Sequence, residues 1–357
     1  MTATLRWAEV DVGAVRANCA QIAAHLPKSS RLVAVVKAGA YGHGSRPLAR
    51  AALDGGAAGL AVSTLEEAHE LAGLVRPDDL LIMGGLTPTQ AGAAAATGCA
   101  IAVSSRELAQ ALGDRDVVVA VHLKIDTGMG RFGCSPADAP TLARFIDQAP
   151  GLRLAGTMTH FASAGSDDAF TRAQFDRFIE TLAGFDVDPG IRHACNSVAT
   201  RLHPEFALDA VRCGISVYGC EWPGLRPALA LRSVVTFVKT VEKGDRVGYG
   251  GTWRAPGRSR VATVAIGYAD GVLRARANRG HVLVRGQRAP LIGMVSMDAI
   301  TVDVTEASDI QVGDVVTLIG VDGHERITGE QVAEWSGTIS YEVLTAIGPR
   351  VERRYSE

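Results

Sequence analysis

A chain of 357 residues, 47% hydrophobic and 21% charged, is long enough for a barrel-sized domain with a smaller partner and apolar enough to bury both cores. A net charge of −2 leaves no electrostatic footprint for nucleic acid or an anionic membrane. The N-terminal residues lack a secretory apolar core, no run approaches a membrane span, and Cys19, Cys99, Cys134, Cys195, Cys213 and Cys220 show no metal-type spacing, so a cytoplasmic protein with reduced thiols and no metal is expected.

In chain order, the residues from Leu5 to Asp11 read as a strand that could serve either domain. Short apolar runs then alternate with amphipathic stretches. The runs are Leu32–Val36, Gly59–Val62, Leu80–Met83, Ala100–Val103, Val117–Ile125, Leu154–Thr159, Ile191–Ala194 and Ala210–Arg212. Helix starts between them are marked by the boxes Thr64-Leu-Glu-Glu67 and Ser104-Ser-Arg-Glu107 and by Thr87-Pro88. Eight strands separated by helices predict a (β/α)8 barrel, with a doubly wound open sheet as the alternative. From about residue 232 the texture becomes Val-rich runs joined by Gly turns: Ser233–Val241, Arg260–Ile266, His281–Val284, Pro290–Met294 and Val315–Ile319. The expectation is an α/β fold: a barrel over residues 12–231, followed by a β-rich domain over 232–357 that also takes residues 1–11.

The chemistry collects where these strands end. Lys37 follows the first run and enters the Gly-rich segment Lys37-Ala-Gly-Ala-Tyr41-Gly-His-Gly44. A lysine there should project into the barrel mouth, where catalytic groups gather, and can form an imine with a carbonyl cofactor. Alone it would ordinarily be a solvated lysine. The fifth strand, however, delivers Lys124, Asp126 and Arg131, the sixth His160, the seventh Asn196-Ser197, and the eighth Arg212 with Gly214-Ile215. That synchrony is more informative than any member. The loops after strands seven and eight are where barrels commonly bind phosphate; read alone, Asn196-Ser197 is simply a helix cap. In the β-rich segment Tyr249 and Tyr268 sit among glycines, as packed turn residues or as phenols exposed at a site.

The motifs Val36-Lys-Ala-Gly-Ala-Tyr-Gly-His-Gly44, Leu123-Lys-Ile-Asp-Thr-Gly-Met-Gly-Arg131 and Gly267-Tyr-Ala-Asp-Gly271, in this order, make the sequence resemble the alanine racemase family, among the barrel-type pyridoxal-phosphate enzymes. The resemblance runs from Ala8 to Val343. It implies a head-to-tail homodimer whose active sites combine one subunit's barrel with the other's β domain. It further implies that Lys37 holds pyridoxal 5'-phosphate as a Schiff base and that Tyr249 of the other chain faces it. Tyr41, Ser197, Gly214, Ile215 and Tyr341 would hold the phosphate, with Asn196 beside them. Arg212 would face the pyridine nitrogen, Arg131 the phenolic oxygen and substrate, and His160 would link Tyr249 to Arg212. Met297 would offer its N–H to the substrate carboxylate, Tyr268 and Asp298 would stand at the entry, and Lys124 matches a position often carbamylated.

The implied reaction is two-base racemisation of alanine, with Lys37 serving the D-face and Tyr249 the L-face, D-alanine being destined for cell-wall peptidoglycan. A cationic Arg212 cannot accept a proton from the ring, which argues against barrel decarboxylases that use an acid there. The rivals are a broad-specificity or serine racemase and a non-catalytic cofactor-binding protein. Three positions depart from the usual pattern: Gly39 where Asn or Asp is usual, Gly248 where Ser is common, and Cys213 where Pro is frequent.

Overall fold

The computed structural model describes residues 4–307 and 309–357; residues 1–3 of the segment assigned above to the β-rich domain lie outside the described residues. The chain divides into two compact units. One comprises residues 15–40 and 45–225, the other the N-terminal residues through Ala14, Tyr41–Gly44 and Arg226–Glu357.

The first unit is a closed, all-parallel barrel. After β1 (Arg6–Asp11), which belongs to the other unit, its strands are β2 (Arg31–Val35), β3 (Gly59–Val62), β4 (Leu80–Ile82), β5 (Ala100–Val103), β6 (Val119–Lys124), β7 (Leu152–Met158), β8 (Ile191–His193) and β9 (Ala210–Cys213). Closure is direct: β2 pairs in parallel with β9, Arg31 opposite Ala210 and Ala34 opposite Cys213, which eliminates the open sheet. Strands β3, β4, β5 and β6 are buried at every position, as strands covered on both faces must be, and for that reason β3, β4 and β5 read as unbroken apolar runs, interrupted in β6 by His122 and Lys124. Thr64 caps its helix in the expected box with Glu67. The second box does not form: Ser105, not Ser104, is the cap and accepts from the Leu108 N–H, and leucine at that position cannot reciprocate.

The second unit continues with β10 (Leu229–Val241), β11 (Arg246–Val247), β12 (Trp253–Arg254), β13 (Ser259–Val264), β14 (His281–Val284), β15 (Gln287–Ile292), β16 (Ile300–Asp303), β17 (Val315–Asp322), β18 (Glu325–Ile327) and β19 (Glu352–Ser356). Among the described residues, nine of the strands form one sheet in the order β18-β17-β14-β15-β16-β13-β10-β1-β19. Strand β1 settles here, antiparallel to β10 and parallel to β19. The run expected at Pro290–Met294 starts earlier and stops at Ile292, because Gly293 turns away with φ +71°. Strands β11, β12, β16, β18 and β19 were not anticipated.

Candidate active site

Two residues past β2, Lys37 opens a left-handed turn. Ala38, Gly39, Ala40 and Tyr41 all have φ between 52° and 61°. For residues with a Cβ this costs roughly 1–2 kcal/mol each, so something must hold it. The Ala40 N–H donates to the Val36 carbonyl at 2.9 Å. The Ala38 N–H donates to the Glu67 carboxylate at 2.6 Å, and that carboxylate also accepts from the Ser63 and Thr64 N–H groups at 2.7 and 3.2 Å. Glu67 therefore caps a helix and clamps the turn after Lys37. Gly39 fits because it tolerates positive φ and has open space where a side chain would stand. Lys37 itself is half-buried, and burial together with the Arg131 charge lowers its proton affinity, opposed by Glu67.

The end of β6 delivers Lys124, 3% exposed, with its Nζ 3.5 Å from the centre of the Phe132 ring. Burial first, then Arg212 and Arg131, push the Lys124 amine down to about 7. The nearby acid does not pair with it, since the Asp126 carboxylate is committed to the N–H groups of Gly128 (2.9 Å) and Gly130 (3.0 Å), closing the Gly-rich turn. Arg131 lies at the far side of that turn, its guanidinium 5.5 Å from the same Phe132 ring.

Arg212, on β9, is 3% exposed. Its Nη1 donates to Nδ1 and the carbonyl of His193 (2.8 and 2.9 Å), and its Nη2 to the carbonyls of Thr159 (2.7 Å) and Ala194 (3.1 Å) and to His160 Nδ1 (3.2 Å). No carboxylate is among these partners, and among the described residues nothing engages its Nε–H. Burial brings the guanidinium down to about 10. Because Arg212 can only donate, His160 Nδ1 is an acceptor and its proton sits on Nε2. Burial, with Arg212, Lys124, Arg131 and Lys37, holds His160 neutral, well below the ordinary histidine range.

After β8, Asn196 caps a short helix by accepting from the Ala199 N–H at 3.0 Å. Ser197 Oγ accepts from the Gly214 N–H at 2.9 Å and the Ser216 N–H at 3.4 Å, drawing the loops after β8 and β9 together. The buried Ser216 Oγ has no partner among the described residues. The helix-cap reading of Asn196 and the loop position of Ser197, Gly214 and Ile215 thus coexist.

The other unit holds the remaining candidates. The Tyr41 and Tyr341 rings are 6.0 Å apart. Arg353 anchors the Tyr41–Gly44 segment by donating to the Gly42 carbonyl through Nε (3.0 Å) and Nη2 (2.9 Å). Tyr249 is 74% exposed and Met297 51%. Gly248, before Tyr249, has φ +73° and ψ −177°, a conformation that strains Ser, which accounts for glycine there. Tyr268 precedes the buried Asp270, whose carboxylate receives Arg6 at 2.9 Å and Arg350 at 3.0 Å; Arg350 also reaches Asp298 at 2.7 Å.

The barrel unit therefore brings Lys37, Lys124, Arg131, His160 and Arg212 into mutual electrostatic range, while Tyr41, Tyr249, Tyr268, Met297, Asp298 and Tyr341 belong to the second unit. From the sequence Glu67 reads only as a capping-box residue, and His122 and His193 carry no assigned role. The signal for both histidines was an imidazole inside a strand otherwise built to be buried. Among the described residues no cluster fit for a metal ion occurs, and no helix is long and apolar enough to cross a membrane.

A parallel barrel that gathers two buried cations, Lys124 and Arg212, the exposed Arg131 and a half-buried lysine of reduced basicity at its strand ends is built like the site of a barrel enzyme. Residues 10–221 match the family model for the alanine racemase N-terminal domain and residues 228–355 that for its C-terminal domain. The chain belongs to the alanine racemase family. It is 42% identical over 366 residues to the alanine racemase of Symbiobacterium thermophilum, covering 98% of this chain and 96% of the relative. The solved alanine racemase of Bacillus anthracis with bound L-Ala-P superposes with a TM-score of 0.92 at 37% identity, covering 100% of this chain and 96% of that one. That of Bartonella henselae, with covalently bound pyridoxal phosphate, gives 0.89 at 28% identity over 99% of this chain and 100% of that one.

Proposed function

We propose that this protein interconverts L- and D-alanine with pyridoxal 5'-phosphate bound at Lys37, as a cytoplasmic homodimer that supplies D-alanine for peptidoglycan. The observation that carries the reading is Arg212: a buried cation with no acidic partner and an uncommitted Nε–H, sharing its surroundings with a lysine of lowered proton affinity. These residues fit the cofactor. Lys37 offers an amine of lowered proton affinity, Arg212 a donor for the pyridine nitrogen, and Arg131 a cation for the phenolic oxygen and the substrate carboxylate. Tyr41, Ser197, Gly214, Ile215 and Tyr341 would hold the phosphate, with Asn196 ordering the loop. The orphaned Ser216 hydroxyl suits a polar group arriving there.

When bound, the cofactor supplies the electron-withdrawing ring that makes alanine's Cα proton removable. The protein's share is to move that proton. Lys37 Nζ takes or returns it on one face and the Tyr249 phenol of the partner chain on the other. His160 is neutral with its proton on Nε2, the form that can donate a hydrogen bond to a phenolate oxygen. Met297 would present its N–H to the substrate carboxylate, with Tyr268 and Asp298 at the entry. Incubating the protein with L-alanine and cofactor should yield D-alanine by chiral chromatography, and either Lys37→Ala or Tyr249→Phe should abolish it. Cofactor bound without any D-alanine would overturn the reading.

A further inference from the structure

Inside the barrel a second polar chain starts at Arg212 and leads away from its other partners. His193 on β8 and His122 on β6 are 2% and 7% exposed, and His122 Nδ1 lies 2.7 Å from His193 Nε2 with the rings edge to face. Arginine has no acceptor, so the 2.8 Å contact from Arg212 Nη1 leaves His193 Nδ1 bare. The His193 proton must then be on Nε2, donated to His122 Nδ1, and the His122 proton must be on its own Nε2. One contact fixes both tautomers. His122 and His193 also line a cavity of about 60 Å³ that Arg31, Asp78 and Asp79 border, which can solvate the last N–H.

We propose that His122 and His193 are positioning residues: a tautomer-locked imidazole pair that orients the Arg212 guanidinium and meets its charge with lone pairs rather than a carboxylate. The inference rests on the reading of Arg212 above. Three backbone carbonyls and His160 Nδ1 satisfy part of the planar guanidinium, and His193 Nδ1 is the side-chain acceptor on Nη1. His122, with its Nδ1 bare, supplies the acceptor that the His193 Nε2–H needs and so completes the tautomer that the Arg212 contact selects. A carboxylate in place of this pair would neutralise Arg212; two neutral rings leave it a full cation. Arg212 and Lys124 face His193 and Arg212 and Arg153 face His122, while Arg31, Asp78 and Asp79 stand on the wall of the cavity that the pair lines. Burial first, then the cations, holds His122 at about 3 and His193 well below the ordinary range, so neither ring takes a second proton near neutrality.

The test begins with the full-length chain labelled with 15N-histidine and free of cofactor. The two rings should show bare Nδ1 and protonated Nε2 signals that stay constant from about pH 5 to pH 9. A protonated His193 Nδ1, or titration of either ring in that range, would overturn the proposal. This readout does not depend on racemisation, so its failure is distinct from that of the functional reading. In the cofactor-loaded enzyme, His122→Phe should raise transamination relative to racemisation about fivefold, the factor carried by one ordinary hydrogen bond. His122→Asn, whose Oδ1 can replace the Nδ1 acceptor, should restore the ratio. Equal ratios in wild type, Phe and Asn variants would reduce the pair to barrel filling and refute the assignment.

Discussion

Lys124 offers a prediction that can be worked from its surroundings. A solvated lysine titrates near 10.5, so at pH 7 only about one in 3,000 is neutral. Burial and the charges of Arg212 and Arg131 bring Lys124 to about 7, where about half is neutral. A neutral amine adds to carbon dioxide, forming an N–C bond and releasing one proton to solvent. The product is an anion beside two arginines, which replaces repulsion by attraction. Supplying 13C-bicarbonate near pH 7.5 should therefore give a carbamate resonance that is absent from Lys124→Met. The same shift governs stability before modification. The unfolded chain keeps this proton up to its ordinary value while the folded chain loses it near 7, so the unfolded state binds more protons between those limits. Stability should then rise from about pH 7 toward pH 10, by up to roughly 5 kcal/mol for a shift of this size. In carbon-dioxide-free buffer, urea unfolding of wild type should show that slope and Lys124→Met should lack it. A resonance that survives Lys124→Met, or equal slopes in the two proteins, would refute the reasoning.

Replacing Arg212 by Glu puts a proton acceptor where a permanent cation stands, and it should raise pyruvate formation from alanine relative to racemisation, followed by coupled lactate dehydrogenase assay; an unchanged ratio counts against the role given to Arg212. Gly39→Val should cost about 1–3 kcal/mol in urea unfolding while Gly39→Asn stays close to wild type, since the site at φ +61° has room for a side chain and only the backbone objects. Asp270→Asn removes the charge shared by Arg6 and Arg350 at a fully buried site, and urea unfolding should lose about 3–5 kcal/mol.

The barrel was legible in the sequence because its strands are covered on both faces, and continuous runs such as Ala100–Val103 survive without alternation. The strands that escaped notice lack that pattern: β19 is Glu-Arg-Arg-Tyr-Ser, mostly exposed at a sheet edge, and its place comes from pairing with β1 some 345 residues earlier. The left-handed turn after Lys37 was equally hidden, because alanines at positive φ have no local signature and the clamp is Glu67, thirty residues on. Charged residues at strand ends announced the site. Histidines inside a strand did not, since the reason for His193 is an arginine on the next strand.

In the proposed dimer each site takes its two bases from different chains. Mixing inactive Lys37→Ala and Tyr249→Phe proteins after dissociation and reassociation tests it. Random pairing makes half of the dimers mixed, and each mixed dimer would carry one site with both lesions and one with both native bases. Activity should therefore return to about a quarter of wild type, in proportion to the fraction of mixed dimers. If both bases came from one chain, no mixed dimer would contain an intact site, and a mixture as inactive as its components would contradict the account.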